Sequence, residues 1–568
     1  MGQRESAERG GSPAARDAAA KVLGVNAVFH DPSAALVVDG RTVAAAEEER
    51  FTRRKHGKSA VPFSAWELPE RAARWCLDQA GFGADQLHAV AYAYEPKLAP
   101  PTDAIDGRDW EGLRTLYAGR APSFLRTALP GLDPKRVRFV PHHVAHAASA
   151  GLASGFSDPA VMVLDGRGEE ASYLAGRYRG GRLEVLATQP LPHSLGLLYE
   201  GLTEHLGFAR SSDEYKVMGL AAYGEPDWLP ELREVVRTDR QGGYSVAPVD
   251  WNAFAPRREA RASEWTAEHA ALAASVQRRL EEVLLELAGW LHRRTGAHQL
   301  ALAGGVALNC VANTRLWREG PFDEVWVQPA SGDAGTALGA ALHVARELGD
   351  VVDPFRTAAL GRGFGELELR GALERAALPH ARPTDVAEAA SEALAANAVV
   401  AWFQGRSDFG PRALGHRSLL ADPRRRENID WLNHVKGREE FRPIAPMVLA
   451  DRAAEIFDGP LPSPYMLFTH RVRPEWRDRI PAVVHVDGTA RVQTVDRTEE
   501  PLVARLLDAF ERRTGVPVIV NTSLNTAGRP IVDDPRDALE CFGSAPIDIL
   551  ILGPFLTRRA SLARELAA

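Results

Sequence analysis

"AVMVLDGRGEEASYLAGRYRGGRLEVLAT", residues 160–188, decides the fold. Its apolar run stops abruptly at Asp165, and Gly166 and Gly168 free the backbone for a tight acidic turn. A second strand, a Gly-Gly turn at 180–181 and a third strand follow. The plan is already present in "KVLGVNAVFHDPSAALVVDGRTVAAAEEER", residues 21–50. There the spacing predicts strands over Val22–Phe29, Ala35–Val38 and Thr42–Ala46, with a polar HDPS turn and an Asp-Gly hairpin turn at 39–40. Further strands are expected at 88–94, at 300–309 running into a Gly turn, and from 323. Helices are expected at 63–81, about 195–206 and 267–295, with an alanine-rich one ending near 345.

Two meanders, each opening on a polar turn, outline a duplicated actin/hexokinase-like (ASKHA) α/β fold, in which such turns hold nucleotide phosphates between lobes. A Pro/Gly-rich stretch at 349–366 then reads as a linker. Beyond it a new α/β pattern starts, with a helix at about 385–396 and strands at 399–403, 516–521 and 548–553. The expected units are 21–355 and 365–568, preceded by a disordered tail over 1–20. That tail fits the loose M-G-x-x-x-S acylation pattern but lacks the apolar core of a signal peptide.

The chain has 568 residues, 45% of them hydrophobic and 25% charged, with net charge −7. That composition predicts a globular protein without a nucleic-acid or membrane partner. No apolar run reaches the ~18 residues of a membrane span. Three widely spaced cysteines (Cys76, Cys310, Cys541) suit buried thiols in a reducing cytoplasm.

"VPHHVAHAASA" (140–150) places His142 and His146 four apart, on one face of a helix, with His143 pointing elsewhere. Such a pair is either a self-contained core pair or half a metal site. Asp165 and Asp333 each end a strand or open a helix, so each is a turn former, a cap or a ligand. Together the four make an N₂O₂ set suited to Fe(II), Zn or Mn. Gly166, Gly168, Gly304, Gly305, Gly332 and Gly335 stand at turns where backbone N–H groups can hold phosphates. His30, directly after a strand, is the candidate general base, with Asp31 beside it. In the second half Arg412, Arg417, Lys436, Arg438 and Arg442 lie in Pro/Gly-fixed loops with Asn521, Thr522 and Ser523, a set suited to binding an anion.

These motifs, with "EYKVMGLAAYGEP", "LAGGVALNCVAN", "PASGDAGTALGAAL", "GRSDFGPRALGHRSLLADP", "HVDGTARVQTV" and "VNTSLNTAGRPIV", resemble the NodU/CmcH family of O-carbamoyltransferases from about residue 22 onward. The resemblance implies an actin-like transfer domain and a YrdC-like second domain. The second domain would make carbamoyl-adenylate from carbamoyl phosphate and ATP, the ATP carrying Mg2+. The first would pass the carbamoyl group to a hydroxylated small molecule such as an antibiotic, releasing AMP. By resemblance His142, His146, Asp165 and Asp333 are the ligands of Fe(II) or another divalent metal, and His30 with Asp31 is catalytic. Lys55, Gly166, Gly168, Glu169, Ser194, Gly304, Gly305 and Asn309 fall on nucleotide positions. Arg412, Lys436, Arg442, Asn521 and Ser523 match the adenylate-forming site. A homodimer is expected from the family alone. Leu524 and Arg529 depart from the usual Phe and Glu. A tRNA-modifying threonylcarbamoyl transferase and a non-catalytic metal–nucleotide scaffold are the competing readings. The acidic balance disfavours the first, and the second basic site disfavours the other. The acceptor would be chosen by loops such as 95–130 and 240–265, in which 97–113 and 249–265 mix Trp, Phe, Asp and Arg.

Overall fold

The computed structural model describes residues 19–57, 67–100, 110–259 and 264–559. The expected tail before residue 19, the start of the 63–81 helix and parts of both acceptor loops lie outside the described residues.

The first sheet contains β1 (Lys21–Asn26), β2 (Ser33–Val38), β3 (Arg41–Glu47), β4 (Ala89–Tyr92) and β5 (Val137–Phe139), in the order β3-β2-β1-β4-β5. β1, β2 and β3 pair antiparallel, and β4 and β5 join parallel. The second sheet contains β6 (Ala160–Leu164), β7 (Ala171–Arg179) and β8 (Arg182–Pro190). A small hairpin, β9 (Val236–Thr238) and β10 (Tyr244–Val246), intervenes before β11 (Gln299–Ala303) and β12 (Glu324–Val327) complete that sheet. Its order is β12-β11-β6-β7-β8, with the same antiparallel and parallel pairings. Read from the opposite edge, this is the first sheet again. The duplication expected from the two meanders is therefore present strand for strand, and the first half has the actin/hexokinase-like arrangement.

The strand lengths follow from the sequence. Asp39 and Gly40 both take positive φ, 52° and 72°, which the tight β2–β3 turn needs. The helix expected at 63–81 runs over Glu70–Ala80 and stops at Gly81, which is left-handed. Between the sheets lie the helices His142–Gly151 and Ala334–Glu347. They touch because neither carries bulk at the crossing: a Cβ on Gly339 would stand 1.8 Å from the Ala145 carbonyl oxygen. A Cβ on Gly24 of β1 would be equally close to that of Ala337. This backbone-to-backbone packing fixes Asp333, at the head of its helix, against the first turn of the histidine helix.

The second half is built on one mixed seven-stranded sheet. Its strands are β13 (Val400–Phe403), β14 (Arg417–Ala421), β15 (Ala445–Leu449), β19 (Gln493–Val495), β20 (Val518–Ser523), β21 (Ile549–Leu552) and β22 (Phe555–Arg558). Their order is β19-β15-β20-β14-β13-β21-β22. A three-stranded sheet of β16 (Phe457–Asp458), β17 (His470–Val472) and β18 (Thr489–Ala490) adjoins it. Its core is separate, built around Trp402, Phe403, Phe457 and Phe510. This is the α/β unit that the YrdC resemblance implies. Arg50 of the first half donates 2.8 Å to the Gly410 carbonyl, and Glu47 accepts 2.7 Å from the Gly410 N–H. Arg53 reaches the Ile531 carbonyl at 2.8 Å. Among the described residues no helix is long and apolar enough to cross a membrane, and the three cysteines are buried and free.

Candidate functional site

His142 opens its helix, so His142 and His146 project from successive turns of one buried face. Asp165 follows the last residue of β6. His142 Nε2 lies 3.3 Å from Asp165 Oδ2 and 3.7 Å from Asp333 Oδ1. For His146 Nε2 the same separations are 3.7 and 3.6 Å. These are too long for well-formed hydrogen bonds. They match ligands about 2.1 Å from a shared ion at tetrahedral angles, which stand about 3.4 Å apart. Both ring nitrogens of His146 are buried without a hydrogen-bond partner. His142 Nδ1 faces the Ala93 carbonyl at 3.4 Å, the support that leaves Nε2 as ligand. Asp333 makes no cap with its carboxylate, although it heads a helix. The donor set therefore fits a divalent cation. Burial alone would lower the His142 imidazole, but Asp165 and Asp333 pull it well above its usual value. Burial alone would raise Asp165; the histidines, His142 first, hold it far below the usual carboxylate range.

His143 does not point clear of this cluster, as spacing suggested. Its Nε2 lies 3.9 Å from Asp165 Oδ2, at the rim. Burial and the neighbouring His142 push it down to about 3, so it stays neutral.

The expected phosphate loops converge on Asp165. Gly305 N–H donates 2.9 Å to Asp165 Oδ1. Gly304, with φ 91°, passes so close to Leu164 that a Cβ would stand 2.1 Å from its carbonyl oxygen. Ser194 Oγ donates 2.7 Å to the Gly166 carbonyl and caps the helix Leu195–His205, so its hydroxyl shapes the loop. A Cβ on Gly168 would meet the His143 ring at 2.8 Å. Glu169 accepts from the N–H groups of Glu95 and His142, both at 2.8 Å, and so holds the histidine helix in place. Asn309 caps the helix Cys310–Glu319 and exchanges hydrogen bonds with Gln277. These three polar side chains serve the frame of the site. His30 lies at the same mouth: its backbone N–H donates 3.1 Å to Asp333 Oδ2, and its Nδ1 meets Asp31 Oδ2 at 2.8 Å. Lys55 lies 3.4 Å from Ser212 Oγ.

The second cluster has the opposite charge. Arg412, Lys436, Arg438, Arg442 and Arg491 gather where the helix Glu214–Leu220 meets the second half. Arg442 stacks over the Tyr215 ring at 4.6 Å. Burial, and then Arg438, push Lys436 well below the usual lysine value. Burial also pushes Arg412 and Arg438 down to about 9, aided by neighbouring arginines. Nε of Arg412, Nε of Arg491 and one terminal nitrogen of Arg438 are buried without partners. Lys436 is held by Ser523 Oγ at 3.1 Å and Asn525 Oδ1 at 2.6 Å. Asn521 donates to Gln493 and Ala413, and its own oxygen is buried without a donor. Unpaired cationic N–H groups in a buried pocket call for an anion.

Arg417 does not join this pocket. It lies fully buried over the Phe403 ring and spends its donors on the carbonyls of Gln404, His416, Arg362, Gly405 and Asp533. Three contributors escaped the sequence reading: Arg491, which lies inside a quoted motif, and His56 and Ser212. Leu524 is fully buried in the core of the second half, and Arg529 is exposed with Glu540 at 3.7 Å.

Residues 21–98 and 123–342 match the family described as Carbamoyltransferase N-terminus, and residues 391–559 match Carbamoyltransferase C-terminus. Nodulation protein NolNO of Sinorhizobium fredii is 38% identical over 569 residues, covering 95% of this chain and 80% of that protein. Nodulation protein NolO of Bradyrhizobium diazoefficiens is 41% identical over 435 residues, covering 74% of this chain and 78% of that protein. Among solved structures, HypF of T. kodakarensis is 16% identical over 59% of this chain and 49% of that chain, with a TM-score of 0.33.

Proposed function

The chain belongs to the carbamoyltransferase family, and on that premise we propose that it is an ATP-dependent O-carbamoyltransferase whose two charge clusters perform successive half-reactions. The observation that carries this reading is the pairing, in one chain, of a buried cationic pocket lacking an anion's oxygens with a buried His–Asp cluster suited to a divalent cation.

In this reading residues 365–568 activate the carbamoyl group. Phosphate leaves carbamoyl phosphate with the consumption of one water. The resulting carbamate attacks the α-phosphorus of ATP, which brings Mg2+, and pyrophosphate departs. Arg412, Arg442 and Arg491 bind the phosphate oxygens, and Lys436, steered by Ser523, sits against the transferring phosphoryl group. Asn521 offers its unpaired oxygen to the carbamoyl NH₂.

Residues 21–355 then transfer the group. The loops at Gly166, Gly168, Gly304 and Gly305, with Lys55, cradle the adenylate. A divalent metal, Fe(II) in this reading, would sit between His142, His146, Asp165 and Asp333 and polarise the intermediate's phosphate. His30 takes the proton of a hydroxyl on a small-molecule acceptor, that oxygen bonds to the carbamoyl carbon, and AMP leaves. Carbamoyl-adenylate is a mixed anhydride that water destroys, so joining both sites in one chain limits its loss.

The test needs no acceptor. Protein, carbamoyl phosphate, ATP, Mg2+ and Fe(II) are incubated and the nucleotides followed by mass spectrometry. Carbamoyl-adenylate and pyrophosphate are expected. Intact ATP beside intact carbamoyl phosphate would refute the activation half-reaction.

A further inference from the structure

His30 belongs to a longer chain of side chains than the transfer step alone requires. Asp31 gives one oxygen to His30 Nδ1 at 2.8 Å and the other to His56 Nδ1 at 3.0 Å. His56 Nε2 lies 2.9 Å from Ser212 Oγ, and Lys55 Nζ lies 3.4 Å from that same oxygen. The two imidazoles face each other with centroids 4.3 Å apart. Asp31 and His56 both hold positive φ, 44° and 62°, a backbone state that residues other than glycine rarely adopt. Two strained residues from different loops thus turn their side chains to a common point.

Proton directions along this chain follow from which groups can only give or only take. Burial alone would raise the Asp31 carboxyl, but His30 and His56 hold it well below the usual range, so it is ionised and only accepts. Each Nδ1 touching it therefore bears a hydrogen. Lysine only donates, so Ser212 Oγ accepts from Lys55; with a neutral His56 ring carrying its hydrogen on Nδ1, the serine hydrogen goes to His56 Nε2. With both imidazoles neutral, these contacts run from Lys55 to Ser212 to His56 to Asp31, with His30 giving to Asp31 from the other side.

We infer that His56, with Asp31, is a positioning residue for transfer: it fixes the Asp31 carboxylate so that His30 is held as the Nδ1–H tautomer and works as a base through Nε2. The inference rests on reading His30 as the transfer base. It also ties that base to Lys55, on the nucleotide side of the site.

The test uses the full-length protein with isotope-labelled histidine near neutral pH. Proton–nitrogen correlation spectra, assigned by the signals lost in His30→Ala and His56→Leu, should show both rings protonated at Nδ1. In His56→Leu the His30 signals should move towards a mixture of tautomers. His56→Asn, whose amide stands where Nδ1 stood, should keep the wild-type pattern. Methanol serves as acceptor probe, with methyl carbamate as product. His56→Leu should lower kcat about 10- to 100-fold, with an unchanged KM for methanol and unchanged pyrophosphate release. His56→Asn should stay close to wild type.

A hydrogen on Nε2 of His30, or a metal bound to both Nδ1 atoms, would overturn the inference, as would equal losses in the Leu and Asn variants. If His30→Ala leaves methyl carbamate formation intact, the base assignment falls instead, and the spectra still decide whether the chain exists.

Discussion

The His–Asp cluster and the cationic pocket are opposite solutions to one problem. Each gathers several ionisable groups out of water and leaves part of their bonding unmet. In the first, two carboxylates face two imidazoles at 3.3–3.7 Å, close enough to share an ion yet too far for good mutual bonds. In the second, burial first and then neighbouring guanidinium groups push Arg412, Arg438, Arg491 and Lys436 down, and three arginine nitrogens lack partners. The two clusters thus differ in the charge that would complete them, a cation in one and an anion in the other.

The sharpest way to break the contrast is to change one ligand and read both sites. Asp333→Asn removes a carboxylate without removing volume. Its affinity for a divalent metal, measured by titration calorimetry, should fall about 100-fold or more, since even supporting groups around a metal cost 10- to 100-fold. Pyrophosphate binding at the other site should not move. A matching loss at both sites would mean that they are one unit.

Pyrophosphate itself should stabilise the wild-type protein, by about 2.7 kcal/mol at about 100 times its Kd. Arg412→Gln should remove most of that gain in thermal unfolding. Without the anion the same variant should be no less stable than wild type, because it relieves repulsion from Arg491 and Arg442. Clear destabilisation without ligand would show that Arg412 is a structural clasp, as Arg417 is.

A pH prediction concerns the loop that carries Arg412. Burial works against a charged His416, but Asp408 at 2.8 Å and Glu500 at 3.3 Å raise it to about 10. A raised folded value means that the stabilisation is complete below the unfolded value of about 6.5 and is lost as pH rises through about 10. Urea unfolding should show His416→Gln less stable than wild type by about 1–3 kcal/mol near pH 6, the gap narrowing towards pH 10. A gap that widens with pH would reverse the assigned charge.

The smallest effect is expected at Arg529. Its contact with Glu540 is 3.7 Å long, with both side chains about half exposed, so Arg529→Glu should change stability by less than about 1 kcal/mol. Carbamoyl-adenylate formation should persist. Its loss would give this departure from the family motif a part in the anion site.

Much of the fold was legible because the meanders announce themselves through turn chemistry: Asp39-Gly40 and Gly180-Gly181 stand where the strands reverse. Which parallel strands join which sheet was not legible, because β5 is three residues long and β11 comes over a hundred residues after β8. The His–Asp set could be read because its histidines stand four apart on one helix and its aspartates follow a strand or head a helix. The cationic residues could be listed but not sorted. Nothing local separates Arg417, which clasps five carbonyls, from Arg412, five residues earlier, whose Nε is unpaired. That Ser194 and Glu169 also hold backbone of distant segments, and that Asn309 bonds Gln277, could not be seen locally. His56 was hidden for the same reason. Its partner Asp31 is 25 residues away and its partner Ser212 is 156, and only the packing of three loops brings them together.

The central claim is that two separate sites carry two half-reactions. The most direct measurement is carbamoyl phosphate-dependent exchange of labelled pyrophosphate into ATP, compared across wild type, His30→Ala and Lys436→Ala. Exchange should persist in His30→Ala, which fails only in transfer, and should vanish in Lys436→Ala, which still transfers from supplied carbamoyl-adenylate. Loss of exchange in both variants, or its survival in Lys436→Ala, would contradict the division of labour between the two clusters.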